Sequence, residues 1–180
     1  MDKIQEKQVA MHKDFFDRCQ HAIDCGFYME AMLMEYAAIE SRLEALLGVA
    51  GLPCGKKLAD HLRKDIQISH RVACAKRLYT ENPELEQSKL NKKHFEKIGQ
   101  WIAKRNEYIH GLYKNELKYN QRMGDAKEFS ENGLEYCRLL YNEVKRLRRY
   151  REKNPGVLHG AECKSTSCKL MREEKQNGNQ

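Results

Sequence analysis

The chain has 180 residues, 41% of them hydrophobic and 33% charged, with a formal net charge of +7. That length allows one domain with a real core and no need of disulfide or metal staples. No run of about 18 apolar residues occurs, which excludes a membrane-spanning helix, and the opening M-D-K-I-Q-E-K-Q lacks the apolar centre of a signal peptide.

The first predicted helix runs from about Lys3 to Ile23, with Ile4, Met11, Phe15, Phe16 and Cys19 as its apolar set, and Gly26 ends it or starts the next. The second, about Phe27 to Leu47, carries a wide stripe of Met29, Met32, Leu33, Tyr36, Ile39, Leu43, Leu46 and Leu47. Gly48, Gly51 and Pro53 then break the chain. A third helix, about Lys57 to Leu78, presents Leu58, Leu62, Ile66, Val72, Ala73 and Leu78, and T-E-N-P-E punctuates its end. The fourth starts near Ser88 or Asn91, either of which can cap it, and continues to about Lys118. A turn around Gly124 and Asp125 leads to a fifth, ending near Arg151, with Phe129, Leu134, Cys137, Leu140, Tyr141, Val144 and Leu147 inward. Only Pro53, Pro83 and Pro155 interrupt helix formation. No segment alternates as a strand does. The expectation is an all-α bundle of about five helices with an antiparallel core over residues 1–152, then a polar tail of low order over 153–180.

Seven cysteines, most of them inside helical patterns, read as reduced thiols in a cytoplasmic protein. His159, Cys163 and Cys168 in the tail lack a local fourth ligand, and C-x4-C is loose for structural zinc, so no metal or cofactor is expected. Neither a Gly-rich phosphate loop nor H-E-x-x-H nor G-x-S-x-G occurs, which leaves nucleotide-hydrolase, zincin and serine-hydrolase readings without support.

Charge is unevenly spread. Residues 1–50 carry 5 Lys/Arg against 9 Asp/Glu, and residues 51–152 carry 23 against 14. An acidic first third and a basic remainder suit a polyanionic partner such as RNA. The densest cationic run, K-R-L-R-R-Y-R-E-K, offers Lys145, Arg146, Arg148 and Arg149 to an RNA backbone. A solvated helix end, its cations matched to the macrodipole, is the plainer reading of the same run. Lys92, Lys93, Lys97 and Lys104 form a second basic group.

That second group leads into the stretch W-I-A-K-R-N-E-Y-I-H-G-L-Y, residues 101–113. Ile98, Trp101, Ile102, Ile109 and Leu112 cover an arc of roughly 100° on a helical wheel. Arg105 falls in the middle of that arc, with Asn106 and His110 together at its edge. A guanidinium aimed along an apolar stripe costs several kcal/mol unless it is paired or meets a ligand. Glu40, set within the second helix's stripe, is the expected partner.

R-N-x-x-x-H-G on a late helix of a small all-α domain resembles the HEPN superfamily (higher eukaryotes and prokaryotes nucleotide-binding), whose ribonucleases carry an Arg and then, after four to six intervening residues, a His. Here those positions are Arg105 and His110, with Asn106 directly after the Arg. The resemblance implies a metal-independent endoribonuclease in which Arg105 and His110 are catalytic and Asn106 supports them. It also implies a homodimer whose motif helices line one cleft, the centre of the apolar arc serving as the seam. An antitoxin or a nucleotidyltransferase is the implied regulatory partner, and a toxin or defence effector the implied role. Tyr113 sits one position beyond where some members carry a regulated tyrosine, and packing is its plainer role. The chemistry fits the residue types: histidine, with an unperturbed pKa of about 6.5, moves protons near neutral pH, and a forked guanidinium balances charge on phosphate. Arg63 and His70 meet the same loose spacing without the adjacent Asn. The competing reading is a catalytically silent HEPN-like module that binds RNA or a protein.

Overall fold

A computed structural model describes residues 3–52, 67–87, 89–111 and 116–155, with side chains described except at 3–9, 86–87, 111 and 116–123. Those residues form α1 (Lys3–Asp24), α2 (Tyr28–Val49), α3 (Ile68–Glu81), a 3-10 turn (Pro83–Gln87), α4 (Lys92–Gly111) and α5 (Glu116–Lys153), with no strand. The all-α expectation holds. Residues 57–66 of the expected third helix, Leu112 and Tyr113, and the tail from 156 lie outside the described residues.

The helix ends follow from local chemistry. α1 stops at Gly26, which takes φ +80°, while Phe27 N–H bonds Ala22 O at 2.8 Å and Gly26 N–H bonds Ile23 O at 3.0 Å. These are the two closing bonds of a Schellman motif, whose left-handed residue glycine adopts without Cβ strain. Gly51 (φ +82°) ends α2 in the same way. Asn91 caps α4, its Oδ1 accepting from Lys93 N–H at 3.0 Å and His94 N–H at 3.4 Å.

One boundary differs from expectation. Gly124 and Asp125 lie within α5, a continuous helix of 38 residues. A single glycine costs a helix about 1 kcal/mol relative to alanine, which is too little to stop one anchored downstream by buried Phe129, Leu134, Cys137, Leu140, Val144 and Leu147.

α2 lies at the centre and packs on every other α-helix. Its most extensive neighbour is α5, and the two run parallel rather than antiparallel. Ser130 Oγ–H donates to Tyr28 O (3.3 Å), Cys137 Sγ–H to Glu35 O (3.5 Å) and Arg151 Nη1 to Val49 O, with a constant offset of 102 residues. α1 is antiparallel to both, so Ile23 and Cys19 meet Leu134 while His12 and Phe16 meet Tyr141. α3 and α4 intervene between α2 and α5 in sequence, and this makes the parallel pairing reachable. The buried Tyr79 hydroxyl ties α3 to α5 by donating to Glu143, which Arg146 also grips at 2.7 and 2.9 Å. Three side chains expected inward face solvent instead: Met11 is 64% and Leu33 49% exposed, and Ala73 on α3 is exposed as well.

Candidate functional site

α4 builds the candidate site. Phe95, Ile98, Trp101, Ile102 and Tyr108 form its buried stripe. Trp101 stacks on Phe129 at 5.2 Å and donates its Nε1–H to Phe129 O at 2.9 Å. The centre of the arc is therefore this chain's own core and not a seam between protomers. Tyr108 takes the inward place expected of Ile109, which is half-buried.

Arg105 is half-buried at the end of that stripe. Its guanidinium carbon lies 4.4 Å from the centre of the Tyr36 ring, and its Nη1 donates to Asn106 Oδ1 at 3.2 Å. Its buried Nε has no hydrogen-bond partner among the described residues. Burial lowers the Arg105 pKa from the ordinary arginine value, with the Tyr36 phenol acting against the shift. Among the described residues no carboxylate comes within ion-pairing distance of Arg105, so its charge rests on a ring face and a neutral amide. Such cation–π contacts contribute about 0.5–2 kcal/mol, which leaves the cation largely uncompensated.

Glu40 pairs elsewhere. It accepts from Arg71 Nη1 at 2.9 Å, and Glu44 approaches Arg71 Nη2 at 3.6 Å. Arg71, on α3 and only 8% exposed, was legible by the reasoning that singled out Arg105. It lies in register with Ile68, Val72, Ala75 and Leu78, as a cation inside an apolar stripe. Tyr36 joins the two halves: burial and then Glu40 raise its pKa, while Arg105 and Arg71 oppose the rise. Tyr36, Glu40, Arg71 and Arg105 thus form one cluster across α2, α3 and α4.

His110 is exposed in the last turn of α4. Five positions separate it from Arg105, about 140° around the helix and about 7.5 Å along it. One chain does not bring the two groups to one point. Asn106 is half-buried and engaged by Arg105, and Tyr113 lies outside the described residues. Lys104 Nζ sits 5.5 Å from the Phe129 ring centre and 5.9 Å from that of Tyr108, while Lys97 is exposed. Of the basic run, Arg146 is held by Glu143, Lys145 Nζ lies 4.3 Å over the Tyr141 ring, and Arg148 and Arg149 are exposed. Arg63 is outside the described residues. Its counterpart His70 is half-buried with Nε2 3.4 Å from Cys74 Sγ. Cys19, Cys25, Cys74 and Cys137 form no disulfide.

No family model, curated protein or solved structure matches the chain. Within the described residues no helix is long and apolar enough to cross a membrane.

Proposed function

We propose that the chain is a metal-independent endoribonuclease of the HEPN type, acting as a homodimer on RNA. The observation that supports it is the state of Arg105: a half-buried guanidinium on the Tyr36 ring, steadied by Asn106 and not neutralised by any described carboxylate. A cation kept in that condition is suited to an anion supplied from outside. In the reaction the 2′-hydroxyl of a ribose attacks the adjacent phosphorus, the bond to the next nucleotide's 5′-oxygen breaks, and a 2′,3′-cyclic phosphate and a 5′-hydroxyl result. Arg105 balances charge on the phosphoryl oxygens, and His110 moves a proton between the attacking or leaving oxygen and solvent. A second copy supplies the partner group that one helix cannot place.

Wild type, Arg105→Ala and His110→Ala are incubated with structured and single-stranded RNA in EDTA. Cleavage by wild type, reduced at least 100-fold in both variants, is the expected outcome, and 2′-deoxy substrate stays intact. Equal cutting by all three proteins overturns the assignment. One observation favours a catalytically silent module instead: Arg105 already has contacts within its own chain while His110 faces outward. Binding of RNA without cleavage in this assay is the result that selects it.

A further inference from the structure

A second cationic centre lies on the other side of α2, about 120° around that helix from Tyr36. The α2–α5 offset sets Arg42 level with Val144, hence one turn or less from Lys145 and Arg148. Tyr141 forms the floor. Its ring is 4.4 Å from that of His12 on α1, Lys145 Nζ lies 4.3 Å over it, and Phe16 meets it edge-on at 6.0 Å. Arg138, one turn earlier on α5, lies 5.9 Å over Phe16.

Nothing described neutralises these cations. Arg42 is half-buried, and its hydrogen bond goes to the Ser41 hydroxyl at 3.3 Å. Burial first, then the neighbouring Arg148, lowers the Arg42 pKa, and burial, Arg42 and Lys145 lower that of His12. The paired carboxylates of the same helices are committed elsewhere: Asp14 to Arg18, Glu40 and Glu44 to Arg71, Glu131 to Lys127, Glu143 to Arg146. Two guanidiniums and an ammonium around an aromatic floor repel one another, and an anion bound among them removes that cost.

We propose that Arg42, Lys145 and Arg148, seated around Tyr141 and His12, form a phosphate-binding site for an RNA strand, remote from the Arg105 helix. For its ligand class this rests on the RNA reading above; the site itself rests on the cluster. A linear polyanion fits better than a single phosphate, because Arg138 to Arg148 spans about 15 Å along α5, more than one phosphate group covers. Aromatic rings between the cations suit nucleotides over other polyanions. Arg146, bound to Glu143, takes no part.

Full-length protein is titrated by fluorescence anisotropy with a 2′-O-methyl 12-mer, which lacks the attacking hydroxyl and cannot be cut. In Arg42→Gln/Arg148→Gln, affinity at low salt falls at least tenfold, and the slope of log K against log[salt] loses about 1.4, the value for two single-strand phosphate contacts. Lys89→Gln/Lys127→Gln, which removes equal charge elsewhere, gives the comparison. Circular dichroism checks folding, and should loss of half-buried Arg42 unfold the chain, Lys145→Gln/Arg148→Gln carries the same test. A slope equal to that of the comparison variant overturns the site, as does a wild type that leaves the oligonucleotide unbound. Binding to phosphatidylserine–phosphatidylcholine vesicles that needs Arg42 and Arg148 while oligonucleotide binding does not also overturns it. RNA cleavage with an unchanged slope sinks the site and spares the nuclease; the expected slope loss without cleavage does the reverse.

Discussion

Glu35 is fully buried, its carboxylate and the Trp101 ring both lying close to Gly133, and neither of its carboxylate oxygens has a hydrogen-bond partner among the described residues. Burial alone pushes its carboxyl up to about 9 from an ordinary 4.5. At neutral pH the folded protein therefore holds a proton here that the unfolded chain releases. Between about 4.5 and 9 the native state binds more protons, so this residue's contribution to stability falls as pH rises through that window and levels off above it. Thermal unfolding at pH 5.5 and 8.5 tests the sign. Glu35→Gln, which cannot ionise, is expected to lie within about 1 kcal/mol of wild type at the lower pH. At the higher pH it is expected to be more stable than wild type by a few kcal/mol, on the order of the linkage free energy. Equal pH slopes in the two proteins would show that Glu35 ionises freely. In the sequence Arg105 and Glu40 stand out as the misplaced charges, yet Glu35 and Arg71 are the more deeply buried. Periodicity names the stripe a residue shares; which opposite charge it meets depends on how helices rotate against one another, and one helix's pattern does not carry that.

Two glycines in α5 show how much of an element is local. Both are helical, yet a Cβ at Gly124 would meet nothing of the described residues within 4 Å, while one at Gly133 would overlap Glu35 Oε2 and fall 2.6 Å from Trp101 Cζ2. The same substitution should thus act in opposite directions. Gly124→Ala is expected to stabilise by about 0.5–1 kcal/mol through helix propensity, and Gly133→Ala to destabilise by about 1–3 kcal/mol through overpacking. Urea unfolding of both variants settles it, and a Gly133→Ala as stable as wild type would mean α5 can draw back from α2. In sequence Gly124 looks like a turn, although no proline between Pro83 and Pro155 stands in the way of a long helix there. The first two helices were legible almost to the residue, because glycine in the left-handed conformation closes each of them. The parallel pairing of α2 with α5 was not, since offset and direction between distant helices leave no periodic mark in either.

At the scale of the molecule, Arg105 faces α2 while His110 faces outward from α4, so on the ribonuclease reading one chain holds two halves of a site it cannot close. In a two-fold dimer the shared cleft then has two equivalent halves, each a cleft of its own that takes Arg105 from one chain and His110 from its partner. Arg105→Ala and His110→Ala are each inactive alone, since every cleft lacks one group. Mixed in equal amounts and allowed to exchange, they form heterodimers in which one cleft combines the intact Arg105 with the intact His110. The other cleft lacks both. Random pairing makes about half the dimers heterodimeric, so the mixture should recover roughly a quarter of wild-type cleavage. Specific activity of the wild type should also fall on dilution as dimers separate. A mixture as inactive as its parts, beside an active wild type, would mean that both groups act from the same chain and that α4 rearranges to bring them together.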